Sequence, residues 1–131
     1  MLKFVYVLLA IIFIFAIGMA QEQSTLQVDE MIFCTAIENR QPVGRDTVFK
    51  ANVERIYCYT KIDGAADTTT ISHIWYFKDE EVAKVNLSVK AKTWRTWSSK
   101  RLLEIWIGKW RVDVVSSDGT VLKSKEFSIK S

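Results

Sequence analysis

Between residues 81 and 90 the chain alternates. Ala83, Val85, Leu87 and Val89 are apolar, while Lys84, Asn86, Ser88 and Lys90 are polar. A period of two puts one set on each face of an extended strand, as in an antiparallel sheet packed on one side and wet on the other. Trp110, Val112 and Val114 alternate with Arg111 and Asp113 in the same way. Arg55 to Ile62 and Ile71 to Lys78 are rich in aromatic and β-branched residues and read as strands with bulk on both faces. Within Arg55 to Ile62, Cys58 shares the face of Ile56 and Ile62, which points it inward. Glu30 to Glu38 reads as a first strand that brings Cys34. Val121 to Ile129 reads as the last, with Lys123 and Lys125 blunting it as an exposed edge. No stretch after residue 25 keeps helical periodicity long enough to define a helix. Leu102 to Ile107 reads equally as a strand or a short helical turn.

The breaks between these segments fit a chain of strands. Asn39 to Gly44 is a turn region containing the only proline, Pro42. Asp63 to Asp67 is a loop of small residues, and Lys78-Asp79-Glu80 is a polar hairpin tip. Ser117-Asp118-Gly119 is a hairpin signal, because Asp-Gly readily takes the positive φ values of a tight turn. About seven short strands at regular spacing predict an all-β fold, a small antiparallel β-sandwich of immunoglobulin-like topology. A small barrel is the alternative.

The first 20 residues stand apart. Lys3 precedes an unbroken apolar stretch from Phe4 to Ile17, and Gly18-Met19-Ala20 places small residues before Gln21. This is the order of a secretory signal peptide, cleaved before Gln21. An uncleaved membrane anchor is the competing reading, since the apolar run is only slightly short of the roughly 20 residues that span a bilayer. Either way residues 21–131 form one exported domain, periplasmic or extracellular. Its only membrane contact would be through an uncleaved N-terminal segment. Without Lys3 the chain keeps 17 basic residues against 15 acidic, a net charge of +2, too mild to argue for nucleic acid.

Cys34 and Cys58 are the only cysteines. An even count in an oxidising compartment favours one disulfide, which would stabilise the fold by roughly 3–3.5 kcal/mol in the chain-entropy model. Two buried free thiols are the other reading. The spacing is not that of a C-x-x-C redox motif.

The inventory for catalysis is thin. His73 is the only histidine, and its neighbours on the strand face, Ile71 and Trp75, favour a hydrogen-bonded core residue over a catalytic base. No G-x-S-x-G or comparable nucleophile motif is present. Zinc would need further imidazole or thiolate ligands, so no metal and no cofactor is expected. The acidic residues Asp79, Glu80, Glu81 and Asp118 sit in turn-like contexts and offer little for carboxylate-pair chemistry. Asn86-Leu87-Ser88 matches a glycosylation sequon inside a predicted strand and reads as chance.

The richest tract is Lys92 to Val114, with four of the five tryptophans interspersed with Arg95, Lys100, Arg101, Lys109 and Arg111. Trp110 begins an alternating apolar face and is expected in the core, as is Trp75. Trp106 is undecided. Trp94 and Trp97 fall on opposite faces of one strand, so they cannot both enter the same core. One should lie on an outer face or edge, where Arg95 could stack on an indole. Trp94, Arg95, Trp97, Lys100 and Arg101 are therefore the candidate binding residues. Such a patch suits either a protein partner or the apolar face of a sugar.

Several motifs together carry a resemblance: C-T-A-I-E-N-R-Q-P-V-G from Cys34, V-E-R-I-Y-C-Y-T around Cys58, H-I-W-Y from His73, W-R-T-W-S-S-K from Trp94, and G-K-W-R-V-D-V with a following D-G. In this order they resemble the bacterial Domain of Unknown Function 2914 family over Val28 to Ile129. The resemblance implies a small bacterial domain, exported or membrane-tethered, in the periplasm or envelope. It brings no activity and no catalytic residues, and it supports pairing of the two cysteines. The expectation is a non-enzymatic interaction or structural module whose partner is an unknown envelope protein. A carbohydrate-binding domain for cell-wall glycan is the alternative.

Overall fold

The computed structural model describes residues 25–131, so the expected signal peptide or anchor lies outside the described residues. The chain forms ten strands: β1 (Gln27–Cys34), β2 (Ala36–Glu38), β3 (Gln41–Val43), β4 (Val48–Lys50), β5 (Arg55–Asp63), β6 (Thr69–Phe77), β7 (Glu80–Val89), β8 (Thr93–Arg101), β9 (Gly108–Ser116) and β10 (Val121–Lys130). The seven long strands are those the sequence predicts, by alternation in β7, β8 and β9 and by residue type or turn spacing in the rest. The other three have three residues each, too short to show a period. The first strand ends four residues earlier than expected, at Cys34, and Ala36–Glu38 becomes β2 of a separate hairpin.

The strands build two facing sheets, ordered β1-β5-β8 and β4-β10-β9-β6-β7, with β2-β3 pairing apart. The chain crosses between the sheets on either side of β4 and again after β5, after β7 and after β8, giving the Greek-key connectivity of an immunoglobulin-like sandwich rather than a barrel. The inner faces supply the core. Met31, Phe33, Ile56, Cys58 and Ile62 come from the smaller sheet; Ile71, Trp75, Trp110, Val112, Val114 and Phe127 come from the larger. Phe127 stacks on Trp110 at 5.7 Å between ring centroids and meets Phe33 across the sandwich at 4.5 Å. Trp75 and Trp110 are fully buried, as their alternation predicts.

β10 differs from the expected free edge. Its last residues, Ser128 to Lys130, pair in parallel with β4. Farther back, Lys125 Nζ donates to the carbonyl of Met31, 2.8 Å away, tying β10 to β1 across the sandwich margin. Leu102 to Ile107 is neither strand nor helix. It is a loop closed by Trp106 N–H donating to Leu103 O at 3.0 Å, with Trp106 wedged against Phe77 and Trp110.

The β2-β3 hairpin turns at Asn39 and Arg40, whose φ values of 51° and 61° are both left-handed, as a two-residue turn between strands requires. It approaches β5 as well as β1, so it folds back over the outer face of the β1-β5-β8 sheet. This cover explains why Tyr59 and Cys34, which point away from the core, are nonetheless buried.

Candidate functional site

The register of β5 against β8 assigns each side chain to a face. Tyr59 lies opposite Trp97, Lys61 opposite Arg95, and Arg55 opposite Arg101, all on the outer face. Trp94 lies opposite Ile62 and packs against the core. The two indoles thus emerge on either side of the β8 edge, and both are half-buried. Trp97 stacks on Tyr59, with ring centroids 6.5 Å apart and planes within 14°. The cation over Trp94 is Arg40 of the hairpin turn, 5.8 Å from the ring centroid, in place of the expected Arg95.

A cleft of about 330 Å³ opens at this edge. β8 contributes Trp94, Arg95, Thr96 and Trp97, the end of β7 contributes Ser88 with the following Lys90, and the hairpin tip contributes Arg40. Its wall holds three cations, two indoles and two hydroxyls, and no carboxylate. Among the described residues none of Arg40, Lys90 and Arg95 is in an ion pair. Arg111 on β9 is the contrast: it bonds Asp79 at 2.9 Å and Asp113 at 3.2 Å and lies over Tyr76, a self-satisfied clamp.

The structure therefore gathers three of the five candidate residues, Trp94, Arg95 and Trp97, and separates the other two. Lys100 sits 4.8 Å over the ring of Trp106, towards the far end of β8. Arg101 lines a different depression with Glu54 and Leu103. The sequence reading missed Arg40, Ser88 and Lys90. Lys90 and Ser88 fall on the wet side of the β7 alternation, a signal that marks exposure but not which neighbour is faced. Arg40 could not be placed without knowing that the hairpin folds back.

Burial settles the position of His73. It lies inside the sandwich, with Nε2 3.1 Å from Thr60 Oγ1 and Nδ1 2.6 Å from Ser98 Oγ. Thr60 Oγ1 gives its hydrogen to the carbonyl of Thr96 at 3.0 Å, so it accepts from His73 Nε2–H. A neutral ring then accepts at Nδ1 from Ser98 Oγ–H, and Ser98 in turn accepts from Trp75 Nε1–H at 3.1 Å. Every polar hydrogen in the chain of bonds is used once. Burial pushes the imidazole down to about 4.

The expected disulfide between Cys34 and Cys58 is absent, and both are free, buried thiols. Cys58 faces Phe33 across the ladder and Cys34 faces Tyr57, one residue out of step. Successive residues of a strand point to opposite faces, so the two side chains leave the β1-β5 ladder on opposite sides. Burial raises both thiols above their ordinary value. For Cys34 the amides of Val43 and Ala36 and the charge of Arg45 offset part of that rise.

Known proteins add a family and little else. None of the curated proteins matches the chain in sequence. Among solved structures it is similar to a β-glucosidase from Listeria innocua in complex with glucose, with 12% identity and a TM-score of 0.45 over 81% of this chain. A β-glucosidase from Kluyveromyces marxianus gives 11% identity and a TM-score of 0.46, also over 81% of this chain. The chain spans only 16% and 14% of those proteins, and likeness at this level carries no argument about activity. The motifs around Cys34 and Cys58 fall outside the family match, which runs through the second half of the sandwich. Residues 68–129, just under half of the chain, match the family described as protein of unknown function (DUF2914).

Proposed function

We propose that the protein is a non-enzymatic binding module of the cell envelope, exported by its N-terminal apolar segment, and that it binds at the seam between β7 and β8. The observation that carries this reading is the convergence of Arg40, Lys90 and Arg95 with Trp94 and Trp97 in one cleft. Indoles and arginines dominate recognition energetics, and cations left unpaired at such a site are available to a partner. The burial of His73, with both ring nitrogens bonded to core hydroxyls, supports a role in packing rather than in proton transfer to a substrate.

The test is retention on envelope fractions. Wild-type protein is retained, and Trp97→Ala combined with Arg95→Ala is lost at unchanged circular dichroism. Equal retention of the two would remove this surface from the reading.

One observation favours a glycan over a protein partner. Two indoles and the hydroxyls of Ser88 and Thr96 line a cleft with the volume of a small-molecule site, a size and chemistry that a sugar ring fills. Pull-down on insoluble wall material and indole fluorescence titration with oligosaccharides test the glycan reading, and silence in both would exclude it.

A further inference from the structure

The charge of the same cleft says more about its occupant. Resting on the glycan reading, we infer that the ligand is an anionic sugar, whose carboxylate or phosphate lies among Arg40, Lys90 and Arg95 while its ring packs on an indole. The three cations come from three separate parts of the chain: the hairpin turn, the end of β7 and the body of β8. No local sequence preference brings them together; the fold does. With no carboxylate in the wall, the counter-charge for these cations comes from solvent ions or from an anionic ligand. Asp63 is already engaged, accepting a hydrogen bond from Thr93 Oγ1 at 2.9 Å.

Arg40 adds a second, independent observation. It occupies the second position of a turn in which both residues have positive φ, a place that favours glycine. An arginine there gives up backbone ease, and its guanidinium is held over Trp94 at the cleft. Ser88 and Thr96 supply neutral hydroxyls that suit the hydroxyls of a sugar. A bare anion would leave the hydroxyls of Ser88 and Thr96 unused, and a neutral sugar would leave the cations without a counter-charge.

Calorimetry and indole fluorescence on the folded domain decide the matter with five probes: a uronate oligomer, a sugar phosphate, a neutral oligomer of the same ring, inorganic phosphate and oligoglutamate. The uronate or the sugar phosphate binds, which also separates carboxylate from phosphate as the source of charge. The neutral oligomer and inorganic phosphate each bind about tenfold more weakly, and added salt weakens the anionic ligand. Arg40→Gly, which suits the backbone at that position, and Lys90→Gln each weaken it by about tenfold without a change in fold. A neutral oligomer bound as tightly as the charged one overturns the charge assignment but leaves the glycan reading standing. Oligoglutamate bound as tightly as any sugar overturns both, and so does silence from all five probes.

Discussion

His73 Nδ1 and Ser98 Oγ are 2.6 Å apart inside the sandwich, and the serine is the donor. The direction follows from Thr60, which has already given its hydrogen to Thr96 and can only accept from the other ring nitrogen. A proton added at Nδ1 would face the Ser98 hydrogen and break the chain at its centre. Burial pushes the folded imidazole down to about 4, whereas an exposed one titrates near 6.5. Between those values the unfolded chain binds more protons than the folded one. Stability is therefore complete above pH 6.5 and falls as the pH drops towards 4, by up to about 3 kcal/mol. Urea midpoints at pH 7.5 and 4.5 should show this loss, and His73→Gln should flatten it. Asp118, held below its ordinary value by the Ser116 hydroxyl and the Thr120 amide, acts at lower pH, outside this window.

Ser98→Ala should cost about 2–4 kcal/mol, because one hydroxyl serves both His73 and Trp75 and two buried groups lose their partner. Tyr59→Phe should cost almost nothing. The phenol is 1% exposed, its oxygen has no hydrogen-bond partner among the described residues, and the ring stacks on Trp97 with or without it. Denaturant unfolding of the two variants compares them directly. A Tyr59→Phe loss as large as that of Ser98→Ala would mean the phenol is satisfied by water.

Both cysteines should resist thiol reagents in the native protein and react fully once it is unfolded without reductant. The register of β1 on β5 keeps them apart, and burial disfavours both thiolates. A denatured chain that takes up label only after reduction would show a disulfide and refute this register at Cys34.

The loop from 102 to 107 should separate anchor from display. Leu102 is buried and its amide donates to Glu54 O at 2.9 Å, so Leu102→Ala is expected to cost about 2–3 kcal/mol. Ile105 is 79% exposed, and Ile105→Ser should shift stability by no more than about 0.5 kcal/mol. Melting temperatures of the two variants would show the difference.

The strands were legible where a face is uniform. Ala83, Val85 and Leu87 alternate with charge and announce β7; Trp110, Val112 and Val114 do the same for β9. Trp75 and Trp110 could be placed in the core on that pattern alone. β5 was harder, because Tyr57 and Tyr59 give its outer face the bulk of an inner one. That bulk belongs to a second, smaller packed layer beneath the hairpin, which three-residue strands cannot signal. The state of Cys34 was not legible for a related reason. A disulfide depends on which face each cysteine takes, and a single step in strand parity reverses the answer. The candidate site was half visible: Trp94 and Trp97 on opposite faces follow from alternation, whereas Arg40 and Lys90 join them only through the crossing of chain segments distant in sequence.

The short parallel pairing of β4 with β10 sets how the domain would bear load. β1 begins beside the end of β5, while β10 ends beside the start of β9, so the described chain enters and leaves at opposite ends of the sandwich. A pull on the end of β10 loads its pairing with β4, a strand that points the same way and is joined to it at Ser128, Ile129 and Lys130. The hydrogen bonds there are pulled sideways and together, rather than opened one after another like a zip. A domain tethered on one side and gripping a ligand or neighbour on the other would be held shut by the seam between β4 and its last strand.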